Sequence, residues 1–177
     1  DKAAIIMAND GFSVSFKDLD NRSNQAANLF RSLGLKRGDH VAFLMENHPV
    51  FFELCWAAQK AGLYYTPVSY YLKPDEISYI VDNCDAQVFI SSKKQLANAI
   101  ASSAECTKLK KCYVTGDRQG ESLSEGEFES WEQAIGNFPE TPISDQSEGR
   151  EMLYSSGTTG RPKGIKFPLS DMLELGE

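Results

Sequence analysis

Apolar positions along this chain fall into two rhythms that take turns. Short apolar runs, of the kind buried strands show, alternate with stretches in which apolar residues return every three or four positions. The chain opens on "AIIMANDGFSVSF", where apolar residues flank Asn9-Asp10-Gly11 and the Asp-Gly pair predicts a tight hairpin turn. Ser15-Phe16-Lys17-Asp18 resembles a capping box. Phe16, Leu19, Ala26, Phe30 and Leu33 then recur at helical spacing until Gly34 stops the helix.

The next blocks read as strand at 41–45, helix at 49–61 with Pro49 near its first turn and Gly62 after its last, and strand in "LYYTPV". A helix opening at Pro74 and running to about Val81 follows. Then come a strand in "AQVFIS", a helix at 95–104 and a strand in "CYVTG". Strands separated by helices in this order require crossover connections, so the expected fold class is α/β, a doubly wound, mostly parallel sheet flanked by helices. From 116 to 130 and again from 136 to 150 the pattern dissolves into polar and acidic sequence around a short "WEQAI" helix, and both stretches read as surface loops.

Composition narrows the function classes. Apolar content of 41% and charged content of 24% over 177 residues are those of an ordinary globular domain, or part of a larger one. A formal net charge of -7 supplies no positive field for a phosphate backbone, so nucleic acid is not an expected partner. An anion would have to bind through a local set of amides and one or two cations. Cys55, Cys84, Cys106 and Cys112 form no CxxC pair, and neither His40 nor His48 stands at metal-ligand spacing with them, which argues against a metal or disulfide framework. That cysteine usage fits a reducing, cytoplasmic setting. No apolar run approaches the roughly 20 residues of a membrane helix.

The candidate chemistry lies in "YSSGTTGRPKG", Tyr154 to Gly164. The run Glu151 to Tyr154 reads as a strand delivering the chain into Ser155, Ser156, Gly157, Thr158, Thr159 and Gly160. Gly157 and Gly160 permit positive φ and close approach, so successive N–H groups can turn around an anion. The hydroxyls add donors for phosphate oxygens, and Lys163 adds a compact positive charge. The segment is not a Walker A loop, which needs a Gly immediately before the Lys where this chain has Pro162. The following "IKFPL" reads as strand more than helix. A ligand-free hairpin rich in turn formers is the plain alternative.

The ordered string "YSSGTTGRPKG" resembles the phosphate-binding signature of the adenylate-forming superfamily, which includes acyl-CoA synthetases, peptide-synthetase adenylation domains and luciferases. "LGLKRGDHVAFLMEN", "AAQKAGLYYTPV" and "KPDEISYIVDNCDAQVFI" are similar, block by block, to the amino-terminal part of those enzymes. The texture of "GLYYTPVSYYLKPDEISYIVDNCDA" and "LYSSGTTGRPKGI" is most like fatty acyl-CoA synthetases. The resemblance implies ATP-dependent activation of a carboxylic acid, with Mg2+, through an acyl-adenylate, followed by thioester formation with coenzyme A. It further implies that the loop holds the β- and γ-phosphates. Thr158 and Thr159 are first for hydroxyl contacts, with Ser155 and Ser156 behind them. Gly157, Gly160 and Gly164 give shape, and Lys163 is the charge partner.

The same resemblance implies that the family's adenine, ribose and catalytic-lysine segments lie outside this chain, so that 177 residues form an amino-terminal fragment with little ligase activity alone. A peptide-synthetase-type adenylation domain and a noncatalytic nucleotide-binding module stay open as alternatives. Trp56 reads as core packing in preference to an acyl tunnel, His48 as a helix-start residue and His40 as a loop-to-strand residue. Tyr64, Tyr65, Tyr70 and Tyr71 read as an aromatic cluster for packing or a subunit contact. Oligomeric state is not legible.

Overall fold

The computed structural model describes residues 2–117, 121–155 and 160–170. Two strands, β1 (Ala3–Ile6) and β2 (Ser13–Ser15), pair antiparallel as the expected opening hairpin. Helix α1 (Phe16–Ser32) starts where the Ser15 hydroxyl oxygen accepts the Asp18 N–H at 3.0 Å. It ends before Gly34, whose φ of 79° is the left-handed value that glycine adopts without a Cβ clash.

The rest of the chain builds a seven-stranded sheet from β3 (His40–Leu44), β4 (Tyr64–Val68), β5 (Ala86–Ser92), β6 (Lys111–Thr115), β7 (Phe128–Ser130), β8 (Arg150–Ser155) and β9 (Lys163–Lys166). Its order is β7-β6-β5-β3-β4-β8-β9, and every neighbouring pair is parallel except β8 with β9. Helices α2 (Val50–Lys60), α3 (Pro74–Asn83), α4 (Leu96–Ser103) and α5 (Trp131–Gly136) fill the connections.

Alternation along the strands sends side chains to two cores. Val41, Phe43, Val88, Ile90 and Tyr113 meet α1, α2 and α5 through Phe30, Leu54 and Trp131. On the opposite face Ala42, Leu44, Phe89 and Val114 meet α3 and α4 through Ile77, Ile80, Leu96 and Ala99. All five residues of β3 are buried, as a central strand covered on both faces requires. Fully burying a side chain such as Leu54 or Phe30 stabilises the fold by about 1.5–3 kcal/mol.

Two sequence expectations are corrected here, and a third is given its anchoring. The stretch 116–130 is not all surface loop: Phe128 and Ser130 are buried, and β7 extends the sheet beside β6. The stretch 136–150 is the expected surface loop, mostly exposed, and it is strapped over α1 and α2. The side-chain amides of Asn24, Gln25 and Asn28 donate to the carbonyls of Glu140, Phe138 and Thr141, and Ile143 is buried. The four tyrosines form no single cluster. Tyr64 and Tyr65 point into opposite cores, while Tyr70 and Tyr71 pair on the surface with ring centroids 4.3 Å apart. Successive strand residues cannot share a face.

The two histidines have definite tasks. His48 is buried; its Nε2 donates to the Gly116 carbonyl at 2.9 Å and its Nδ1 accepts the Val50 N–H at 3.2 Å, which caps α2 where Pro49 has no side-chain acceptor. Trp56 packs against Phe16, with ring centroids 6.5 Å apart, on the α1 side of the sheet.

Candidate functional site

The candidate loop sits at the carboxyl end of β8. That strand is placed by β4, with Tyr64 opposite Arg150 and Tyr65 opposite Glu151. The chain returns on β9, which pairs Met152 with Lys166, Leu153 with Ile165, Tyr154 with Gly164 and Ser155 with Lys163. Two predicted site residues, Ser155 and Lys163, therefore face each other at the mouth of the loop, one on each stem. Both are exposed. Gly160 carries a φ of 96°, a backbone that L side chains rarely adopt.

Ser156, Gly157, Thr158 and Thr159 lie outside the described residues. Lys163 and Gly164, which the sequence suggests as loop residues, are the first two residues of the return strand. Gly164 has a steric task there: a Cβ at this position would come within 2.5 Å of the Met152 methyl and 3.0 Å of the Tyr154 ring.

Sheet chemistry supports the location, because open α/β sheets bind ligands at the carboxyl ends of their strands. The topological switch point itself lies elsewhere, between β3 and β5, whose connections leave in opposite directions. Glu46 occupies that crevice, accepting from Ser92 Oγ at 2.7 Å and lying 3.8 Å from Lys94 Nζ. The loop instead borders a cavity of about 290 Å³ lined by Pro67, Leu72, Ile80, Tyr154 and Ser155. A wider groove of about 880 Å³ runs between α3 and Gly160-Arg161-Pro162.

Sequence reasoning missed the residues that hold the loop's stems. The Tyr154 hydroxyl donates to Asn83 Oδ1 at 2.7 Å, and burial pushes that phenol's pKa up. The Arg161 guanidinium lies 5.3 Å from the centre of the Tyr79 ring. Tyr79 and Asn83 are one helical turn apart on α3, and that spacing is visible in "KPDEISYIVDN" once α3 is known to face the loop.

At the far end of β9, Lys166 Nζ lies 2.8 Å from His40 Nε2 and 4.3 Å from the centre of the Tyr64 ring, while the Tyr64 hydroxyl donates to the Phe167 carbonyl at 2.7 Å. Burial, then the nearby Lys166 charge, lowers the His40 pKa from 6.5 to about 4. His40 is thus a neutral acceptor at physiological pH.

Among the described residues no cluster of His, Cys, Asp or Glu could hold a metal ion, and no helix is long and apolar enough to cross a membrane. All four cysteines are free thiols.

The chain is 30% identical over 169 residues to long-chain fatty acid transport protein 1 of Mus musculus, covering 92% of this chain and 26% of that protein. It is 29% identical over 160 residues to crotonobetaine/carnitine–CoA ligase of Proteus mirabilis (strain HI4320), covering 85% of this chain and 30% of the ligase. The chain thus spans about a quarter to a third of the length of these relatives. Among solved structures it superimposes on the anthranilate CoA ligase AuaEII, crystallised with anthranoyl-AMP, with a TM-score of 0.81 at 28% identity, covering 93% of this chain and 31% of that one. The family model of the AMP-binding enzymes matches residues 1–175, across the parallel sheet and both stems of the glycine-rich loop, and on that match the chain belongs to the AMP-binding enzyme family.

Proposed function

We propose that the protein containing this chain activates a fatty acid with ATP and passes the acyl group to coenzyme A. The observation that carries this reading is the register of Ser155 opposite Lys163, which sets a hydroxyl and a cation on the two stems of a glycine-rich loop at the carboxyl end of β8. A polyphosphate seated between the stems would have its charge offset by Lys163 and its oxygens met by hydroxyls and backbone N–H groups.

The chemistry takes two balanced steps. A carboxylate oxygen attacks the α-phosphorus of ATP; the bond to the β-phosphate breaks and pyrophosphate leaves with its electron pair. The coenzyme A thiolate then attacks the acyl carbonyl, AMP departs, and the thiol proton passes to solvent. Such phosphoryl transfer depends mainly on positioning and charge stabilisation. Ser155, Ser156, Thr158 and Thr159 contribute hydroxyl donors to the departing pyrophosphate, Gly157 and Gly160 permit the close approach, Gly164 gives shape by letting β9 pack on Met152 and Tyr154, and Lys163 balances charge. Magnesium would arrive on the ATP phosphates, since the described residues contain no cluster of carboxylates to hold it.

The fatty acid is supported by the likeness to the murine transport protein, and coenzyme A by the likeness to the Proteus ligase. Four free thiols support a reducing, cytoplasmic location.

The test is pyrophosphate release by the longest reading frame that carries this sequence, with ATP, magnesium and carboxylic acids of increasing chain length. Acid-dependent release, greatest with long chains and lost in Lys163→Ala and Thr159→Ala, is the expected result. Release that requires an amino acid would assign a peptide-synthetase-type reaction instead. No release from a folded protein with any acid would leave a noncatalytic nucleotide-binding module.

A further inference from the structure

Helix α3 touches the glycine-rich loop from both sides. The outgoing stem is tied by Tyr154, whose hydroxyl reaches Asn83 at 2.7 Å; the returning stem is tied by Arg161, whose guanidinium stacks 5.3 Å from the centre of the Tyr79 ring. Because Tyr79 and Asn83 lie at i and i+4, they stand on one face of the helix, about one turn apart. A single rigid element thus grips both ends of the segment that carries Ser155 to Gly160.

The mount is itself well fixed. Ile77, Ile80 and Val81 bury its opposite face in the core beneath β3, β4 and β5. Its first turn is closed by the Glu76 carboxylate, which accepts the Lys73 N–H at 2.9 Å. The Tyr154 ring is held flat across the return strand, because Gly164, its register partner, has no side chain to lift it. Displacing either stem therefore requires losing a contact to α3.

We propose that Tyr79 and Asn83 are positioning residues for nucleotide binding, fixing the spacing and direction of the two loop stems before the phosphates arrive. The inference rests on the reaction proposed above, in which the loop receives the ATP phosphates. Stems held at a fixed spacing in advance leave less binding energy to be spent on bringing them together, so the clamp acts on the apparent affinity for ATP and not on that for the acid.

The experiment uses Tyr79→Leu, which removes the ring, and Asn83→Ala, which removes the acceptor, with Tyr79→Phe and Asn83→Asp as conservative partners that keep a ring and an acceptor. Hydrogen exchange of the amides from 155 to 164 is measured in the nucleotide-free protein, and KM for ATP and for the acid in the active enzyme. Each disruptive variant is expected to speed exchange in this segment and raise KM for ATP by about threefold to tenfold, with KM for the acid unchanged and the conservative variants at wild-type values.

Unchanged exchange across 155–164 in both disruptive variants would overturn the proposal. So would KM values for ATP and acid that rise together with no rescue by the conservative variants, which would mark a general loss of structure. If the wild-type protein released no pyrophosphate with any acid, the proposed reaction would fall, and the exchange measurement alone would decide whether the clamp exists.

Discussion

The buried carboxylate of Glu53 accepts the indole N–H of Trp131 at 2.7 Å, joining α2 to α5 across 78 residues of sequence. Its other oxygen meets Arg22 Nε of α1 at 2.6 Å, and the same guanidinium reaches Glu132 at 2.8 Å. Three helices on one face of the sheet are thus fastened at a single point. Burial raises the Glu53 pKa, with Arg22 and Trp131 opposing it; burial lowers the Arg22 pKa, but Glu53 and Glu132 together raise it above its ordinary value. Donors on both carboxylate oxygens support an ionised Glu53 at neutral pH.

Removing the cation exposes that balance. A carboxyl whose folded pKa lies above its unfolded value stabilises the fold below the unfolded value and loses that stabilisation as pH rises through the folded one. Arg22→Met pushes Glu53 further up, so its cost is expected to be about 3–5 kcal/mol at pH 8 and to shrink toward pH 5. Urea unfolding at both pH values measures it; an equal cost at both would refute the assignment.

His40 works in the opposite direction. Its pKa is lowered from 6.5 to about 4, so the neutral ring favours the folded state fully above pH 6.5, and that contribution is lost as pH falls toward 4. His40→Asn keeps an acceptor for Lys166 and cannot titrate in this range. Its melting temperature is expected to change less between pH 6.5 and pH 4 than that of the wild type; parallel pH profiles would count against this role.

Gly149 marks a close approach of backbones. A Cβ there would lie 2.4 Å from the Ala58 carbonyl oxygen and 2.5 Å from that of Leu63, neither of which can swing aside like a side chain. Gly149→Ala is expected to destabilise the fold by about 1–3 kcal/mol, read by thermal or urea unfolding, because overpacking shifts backbone. Gly136→Ala, with no atom near the added methyl, is the control and should leave stability within about 0.5 kcal/mol.

Burial pushes the Cys55 and Cys112 thiols up to about 12 and Cys84 to about 11; it also raises Cys106, which is only half-buried and so open to solvent. Titration with a chromogenic disulfide at pH 8 is expected to modify Cys106 first, with the other three reacting more than about 100-fold slower than a free thiol. All four should react in denaturant. Rapid native labelling of Cys84 would contradict its burial.

The strands and helices that could be read from the sequence were those whose own pattern declares them. The five residues 41–45 are apolar throughout, and Ser15, Pro74, Gly34 and Gly62 punctuate their helices by local chemistry. Phe128-Glu129-Ser130 had no such signature: three residues in an acidic stretch become strand only because β6 offers its edge and the core receives Phe128. The glycine-rich loop stood out because glycines, hydroxyls and a lysine crowd into a few neighbouring residues. Its mounting did not, because Tyr79 and Tyr154 stand 75 positions apart and look like ordinary core aromatics.

What the sequence by itself determined was the alternation of strands and helices, a net charge of -7, and the concentration of glycines, hydroxyls and a lysine within 155–164. The charge follows from composition, and the other two are set within a few neighbouring residues, by periodicity or backbone freedom. Only the tertiary structure decided that β5 lies beside β3 on the side away from β4, that Ser155 faces Lys163, and that α3 grips both stems of the loop. Those relationships join residues distant in sequence, and they arise because the sheet and its helices must bury both faces of β3 at once.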